Sequence, residues 1–149
     1  SYLKRHPDTA EGHRFDPALV EFFLKDDARH DPQISGLEIV KSNIASDVEV
    51  DLFIKLGRQV FELLEQAWAN QGIQLVELKI EFGRLLGYST DNLVVADVID
   101  NDSWRLWPGG DKAQMLDKQI YRNMQVVTQK GLADLMEKYE TVAAMTAAF

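Results

Sequence analysis

Cysteine is absent from this 149-residue sequence, which excludes disulfides, thiolate metal sites and a cysteine nucleophile. A reducing, cytoplasmic compartment fits such a chain. Long apolar runs are missing too. Even Leu93-Val94-Val95-Ala96 is stopped by Asp97, far short of the ~20 apolar residues that cross a bilayer, and no charged-then-apolar leader opens the chain. No membrane association is expected. Positive charge is scarce: 16 Lys and Arg stand against 24 Asp and Glu, for a net charge of −8. General nucleic-acid binding is therefore not expected, and any phosphate must be met by a local basic cluster on an acidic background. The histidines His6, His13 and His30 share no metal-ligand spacing, and G-x-S-x-G, a Gly-rich phosphate loop and H-E-x-x-H are all absent, so a hydrolase triad is a poor reading.

What is present is enough apolar material, 46% of the residues, to build the core of one compact unit. The chain starts at Ser1-Tyr2-Leu3-Lys4-Arg5 with no turn or cap chemistry before it, so a fragment or processed product is expected. The run Leu19 to Lys25 suits a partly buried strand that ends in the polar loop Lys25-Asp26-Asp27-Ala28-Arg29-His30-Asp31-Pro32, a place where binding groups are often displayed. Ser46-Asp47-Val48-Glu49 is a capping box. The apolar period that follows predicts a helix to about Asn70, closed by Gly72.

From Leu75 the period changes to two, with Val76, Leu78, Ile80 and Phe82 on one face and Glu77, Lys79 and Glu81 on the other. A turn-rich loop from Gly83 to Asn92 leads to Leu93–Ile99, which predicts an antiparallel hairpin. With a midpoint near Ser89, Glu81 and Asp97 become cross-strand neighbours. Asp100 to Lys112 reads as irregular, Met115 to Asn123 as helix, and Leu132 to Ala143 as a last amphipathic helix.

Like charges facing each other on a sheet are unfavourable. A Glu81 and Asp97 pair therefore either binds a hard cation such as Mg²⁺, which is held by one or two carboxylates plus water and phosphate oxygens, or forms a solvated hairpin face with Lys79 as counter-ion. The stretch Asp100-Asn101-Asp102-Ser103-Trp104-Arg105-Leu106-Trp107 superficially suggests a calcium loop. It fails that test, because Trp104 and Arg105 occupy positions that need an oxygen ligand and a glycine. Its tryptophans are more readily read as packing groups. Lys118 and Arg122, four apart, share one helix face and with Arg105 could clamp a phosphate. As a bare pair they are equally an ordinary exposed face.

Taken together, Ser1–Arg5, Phe23–Pro32, Val76-Glu77-Leu78-Lys79-Ile80-Glu81-Phe82-Gly83, Ala96–Trp107 and Asp117-Lys118-Gln119-Ile120-Tyr121-Arg122 resemble the SAICAR synthetase family in order and spacing. The resemblance implies an α+β, ATP-grasp-like fold with an antiparallel sheet packed against helices. It also implies that residues 1–149 form a single C-terminal ATP- and substrate-binding subdomain, with the family's N-terminal subdomain lying before Ser1. Glu81 and Asp97 then match carboxylates that bind Mg²⁺ and the ATP phosphates, and Lys25 matches a nucleotide-site lysine. Arg105, Lys118 and Arg122 match residues that hold the ribonucleotide substrate and its phosphate, and Ser1 belongs to a loop that does the same. Asp31, Glu77, Lys79 and Asp102 match polar positions around the reacting groups. Glu77 is a departure, since it stands where the family usually has aspartate.

The activity so implied joins L-aspartate to a carboxyaminoimidazole ribonucleotide at the expense of ATP. A domain that retains the fold but only binds a ligand or partner is the alternative. Residues 1–149 alone are expected to be inactive. They should also expose an apolar face that favours self-association as a homo-oligomer.

Overall fold

The computed structural model describes residues 2–85 and 93–149. Ser1 and the tip of the 83–92 connection, including the expected hairpin midpoint at Ser89, lie outside the described residues. The chain divides into two compact units, residues 14–62 and residues 1–13 with 63–149. The strands pair two by two in antiparallel sheets between helices, an α+β architecture of the expected class. Among the described residues no helix is long and apolar enough to cross a membrane.

The chain opens with one helical turn, α1 (Tyr2–Arg5), which belongs to the second unit. In the unit of residues 14–62, β1 (Phe22–Phe23) pairs with β2 (Gln33–Ile34), and the Leu24 N–H to Pro32 C=O bond of 2.9 Å carries the pairing one step further. The strand expected over Leu19–Lys25 is thus shorter than its composition suggests. The bond at Leu24 is not returned, because Pro32 has no N–H to donate. Ser35 and Glu38 then form a capping box for α2 (Gly36–Lys41), a helix the sequence reading did not anticipate.

The next helix, α3 (Asp47–Ala69), is the one expected. Ser46 Oγ accepts from Glu49 N–H at 3.2 Å and Glu49 returns the bond to the Ser46 N–H at 2.8 Å, so two orphan donors of the first turn are satisfied. Gly72, at φ +72°, takes the left-handed conformation that closes the helix. Ile39, Ala45 and Val50 are buried in this unit, packed by Phe22, Ile34, Phe53 and Ile54. Full burial of a side chain such as Ile39 or Val50 stabilises by roughly 1.5–3 kcal/mol. Gly36 matters here, because a Cβ at that position would lie 3.0 Å from Val50 Cγ1.

The second unit is built on β3 (Ile73–Leu78), β4 (Glu81–Arg84), β5 (Leu93–Ala96) and β6 (Trp104–Pro108). The predicted hairpin exists as β4 against β5, but Leu75 to Phe82 is not one strand. Its first half leaves to pair with β6, a strand inside the segment expected to be irregular. Leu75 faces Leu106 and Glu77 faces Arg105, with a bulge between. Before the bulge Ile73 and Leu75 are buried, and after it the less exposed face is the half-buried Val76, Leu78, Ile80 series that the alternation predicted. The β4–β5 register places Glu81 opposite Ala96, not Asp97. A one-residue offset sends a side chain to the other face, so the expected Glu81 and Asp97 cross-strand pair is corrected: Asp97 lies one position beyond the ladder, at φ +71°.

After β6 the chain doubles back. Helix was expected over Met115–Asn123, but α4 spans only Gln119–Arg122, because Leu116 is already committed to β6 through a 3.1 Å bond from its N–H to the Leu106 C=O. The closing helix, α5 (Gln129–Thr146), is capped by Thr128 Oγ1, which accepts from Gly131 N–H at 3.0 Å. Of its apolar stripe only Val142 is buried, whereas Leu132 and Met136 are exposed. The core of this unit is Trp68, Ile73, Leu75, Trp104, Leu106, Trp107, Leu116 and Val142, with Trp68 edge-on to Trp104 at 5.2 Å and to Phe149 at 4.8 Å.

Candidate functional site

Beside the β3–β6 pair lies a pocket of about 200 Å³ that gathers residues far apart in sequence: Glu77 and Lys79 from β3 and its continuation, Asp102 and Ser103 from the following turn, Arg105 from β6, and Asp117, Lys118 and Arg122 at α4. Four cations meet three carboxylates there, in a chain whose total charge is −8. The volume falls below the ~300–1,000 Å³ of a whole small-molecule site and suits one end of a ligand.

Each wall has a local cause. The Asp100–Ser103 turn is tied internally: Asp100 Oδ1 accepts from Asp102 N–H at 2.8 Å, and Ser103 Oγ donates to the Val98 C=O at 2.8 Å. Behind it, the buried Asn101 Oδ1 accepts from Trp104 Nε1 at 2.8 Å. Asp102 is thereby held at the rim, 3.8 Å from Lys118 Nζ, and Glu77 stands across the ladder from Arg105, 3.6 Å from its Nη2. Both separations exceed hydrogen-bond length and both carboxylates are largely exposed, so these contacts are weak and an incoming anion can replace them. Tyr139, half-buried on α5, has its phenol pushed above its usual pKa, first by burial and then by the negative field of Asp102, Asp117 and Asp100; it stays a neutral hydroxyl beside these acids.

Of the residues singled out in the sequence, Glu77, Lys79, Asp102, Arg105, Lys118 and Arg122 are brought together in this one pocket. Glu81 opens β4, with Lys79 Nζ 3.4 Å from its Oε1. Asp97 follows β5, and its Oδ1 accepts from Val98 N–H at 2.8 Å. Neither lines the pocket. Lys25 and Asp31 belong to the other compact unit. There Asp31 Oδ1 accepts from Asp26 N–H at 2.8 Å, Lys25 Nζ lies 3.3 Å from Asp27 Oδ1, and Asp26 Oδ2 accepts from Arg29 Nε at 2.6 Å. That last bond, above all, holds the Asp26 carboxyl below its ordinary pKa. The pocket residue Asp117 escaped sequence reasoning, its only signal being its place next to Lys118, and so did Tyr139 near these acids, hidden in the apolar stripe of α5.

Among the described residues no group of three or more His, Cys, Asp or Glu side chains could hold a metal ion.

The comparisons with known proteins agree with one another. The family model described as SAICAR synthetase matches residues 1–140. A phosphoribosylaminoimidazole-succinocarboxamide synthase of Roseiflexus castenholzii is 62% identical over 149 residues, covering 100% of this chain and 59% of the relative. The crystal structure of the synthase of that name from Ehrlichia chaffeensis superposes with a TM-score of 0.83 at 29% identity, over 100% of this chain and 60% of the other. A SAICAR synthetase solved in complex with ADP gives 0.79 at 29% identity, over 97% of this chain and 57% of that one. The chain thus spans about three fifths of the length of the relatives it matches. With a family match along nearly its whole length, close relatives in sequence and the same fold in their solved structures, the chain belongs to the SAICAR synthetase family.

Proposed function

We propose that this chain contributes the ribonucleotide-binding pocket of a cytoplasmic, ATP- and Mg²⁺-dependent ligase of purine biosynthesis, which joins L-aspartate to 5-amino-1-(5-phosphoribosyl)imidazole-4-carboxylate and releases SAICAR, ADP and phosphate. The observation that carries this reading is the convergence of Arg105, Lys118 and Arg122 on one small pocket that also gathers Glu77, Lys79 and Asp102. Three long cations gathered in one pocket suit a phosphate monoester, since arginine offers paired donors and lysine a point charge. Glu77 and Asp102, each beside one of these cations, suit an amine and the groups around it.

A carboxylate is a poor electrophile. In this reading it takes the γ-phosphoryl group of ATP, and the aspartate amine then attacks the acyl phosphate, forming the C–N bond as the C–O bond to phosphate breaks and the amine loses a proton. Catalysis of that kind depends on holding the partners and neutralising charge. Arg105, Lys118 and Arg122 bind and orient the ribonucleotide, and Lys79 offsets the charge of the acids beside it. Asp31 and Lys25 serve the reacting groups and the nucleotide from their own unit, and Ser1 joins the substrate-phosphate contacts. Glu81 and Asp97 would hold Mg²⁺, which when bound neutralises phosphate oxygens. The bulged register of β3 supports placing Glu77 beside Arg105 even though glutamate is longer than the usual aspartate. Assembly as a homo-oligomer belongs to the same reading.

In the full-length protein, Arg122→Ala is expected to weaken ribonucleotide binding by ~1.5–3 kcal/mol, the range for hydrogen bonds to charged groups. Calorimetry giving an unchanged affinity would remove Arg122 from the site. Intact ribonucleotide binding without any product from ATP and aspartate would favour the non-catalytic binding domain.

A further inference from the structure

Asp117 is the one fully buried carboxylate among the described core residues, at 1% exposure, and nothing in the proposed chemistry uses it. Its two oxygens accept from backbone donors on two different elements: Oδ2 from Leu106 N–H on β6 at 3.0 Å, and Oδ1 from Gln119 N–H, the first residue of α4, at 2.9 Å. Leu106 is completely buried, so no solvent reaches its N–H, and β3 occupies the other edge of β6. An unpaired donor there would be costly.

The segment after β6 meets that need economically. Leu116 N–H donates to the Leu106 C=O at 3.1 Å, and the Asp117 carboxylate takes the Leu106 N–H, so two consecutive residues complete the strand edge without forming a strand. The chain is then free to turn at once into α4, whose first N–H the same carboxylate receives. Lys118 N–H adds a 3.4 Å bond to the Asn101 C=O, which ties the corner to the turn bearing Asp102. Arg105 precedes Leu106 on the strand, Lys118 follows Asp117, and Arg122 lies one helical turn beyond. The ion pairs of Arg105 and Lys118, at 3.6 and 3.8 Å to exposed carboxylates, are too loose to fix the cations relative to one another. The backbone has to do so.

We propose that Asp117 is the positioning residue of the cationic pocket: its carboxylate clips β6 to the start of α4 and so sets the spacing of Arg105 from Lys118 and Arg122. The proposal rests on the reading of that pocket as a phosphate site. It predicts that anion affinity depends on where the Asp117 oxygens lie, even though Asp117 carries the wrong charge to touch an anion.

The test uses the full-length protein with inorganic phosphate and the ribonucleotide as probes, and three variants. Asp117→Glu keeps the charge but displaces the oxygens by a methylene, and Asp117→Asn keeps the shape but can accept only one of the two N–H groups. Both are expected to raise the KM for the ribonucleotide and the Kd for inorganic phosphate on the order of ten- to a hundredfold, as misplaced binding groups do, while leaving the KM for ATP within about twofold. Wild-type phosphate affinity in Asp117→Glu would overturn the positioning role. Arg122→Ala is the separate control, because unchanged phosphate affinity in that variant would instead overturn the pocket as a phosphate site. Hydrogen exchange on the wild-type protein keeps the proposal testable if the Asp117 variants do not fold. Added phosphate should slow exchange at the Leu106 and Gln119 amides more than at the Trp68 amide. Equal slowing at all three would mean that the clip is indifferent to the anion.

Discussion

Two aspartates in this molecule perform the same chemical task in opposite surroundings. Asp26 and Asp117 each use both carboxylate oxygens as acceptors to hold a corner of the backbone. Asp26, half-exposed in the loop after β1, takes Arg29 N–H at 3.2 Å and Arg29 Nε at 2.6 Å, all within three residues. Asp117 reaches eleven residues back to Leu106, in a place that water does not enter. The exposed network competes with solvent at every bond, so it shapes a turn and little else. The buried one has no substitute when a partner is lost. Position in the fold, more than the strength of any single bond, decides which of the two the protein depends on.

Substitution can sharpen that contrast. Asp117→Ala strands the buried Leu106 N–H and should lower unfolding stability by about 1–3 kcal/mol from that donor alone, measured as a lower urea midpoint at constant m. A loss no larger than that of Asp26→Ala would break the comparison. A smaller effect, about 1 kcal/mol, is expected from Asn101→Ala, which removes the amide oxygen that accepts from the indole N–H of Trp104. The smallest belongs to Asp26→Asn, and it should depend on pH. Because the carboxyl of Asp26 is held below its ordinary pKa, its contribution is complete above the unfolded value near 3.8 and disappears as the pH falls through the lower folded value. Thermal melts of wild type and Asp26→Asn should therefore differ slightly at neutral pH and converge well below pH 4. A difference that persists in strong acid would show that the turn, not the charge, is what Asp26 supplies.

The sequence was most informative where structure is local. The limits of α3 could be read from Ser46, Glu49 and Gly72, because a capping box and a left-handed glycine act within a few residues. The hairpin was recognisable from its alternation, but its register was not. The offset that puts Ala96 opposite Glu81 depends on the connection between the strands. Strand β6 was hidden for a different reason. Trp104, Leu106 and Trp107 are all buried, which erases the alternation a half-buried strand would show, and the polar turn before it and the glycines after it make the stretch look like a loop. The shortening of α4 has the same origin, since a long-range bond to Leu106 takes residues the helical period would claim.

The candidate site follows the same division. Arg105, Lys118 and Arg122 were identifiable as cations in an acidic chain, but residue types at spacings of thirteen and four do not say that a strand and a helix end will meet. Asp117 could not be singled out at all. An aspartate beside a lysine near a predicted helix start reads as an exposed cap, and only the folded chain turns it into a buried acceptor. Glu81 and Asp97 were expected face to face across the hairpin, whereas the register sets Ala96 opposite Glu81 and leaves Asp97 beyond the ladder.

The placement of the tryptophans gives the molecule a built-in optical asymmetry. The sequence has three, Trp68, Trp104 and Trp107, and all belong to the unit that contains the pocket, whereas residues 14–62 have none. Trp104 lines the pocket with its indole N–H bonded to Asn101, while the N–H groups of Trp68 and Trp107 find no acceptor among the described residues. Emission excited at the red edge of protein absorbance therefore reports on the pocket-bearing unit only. The unit of residues 14–62, with Ile39, Ala45 and Val50 at its core, is silent in that channel.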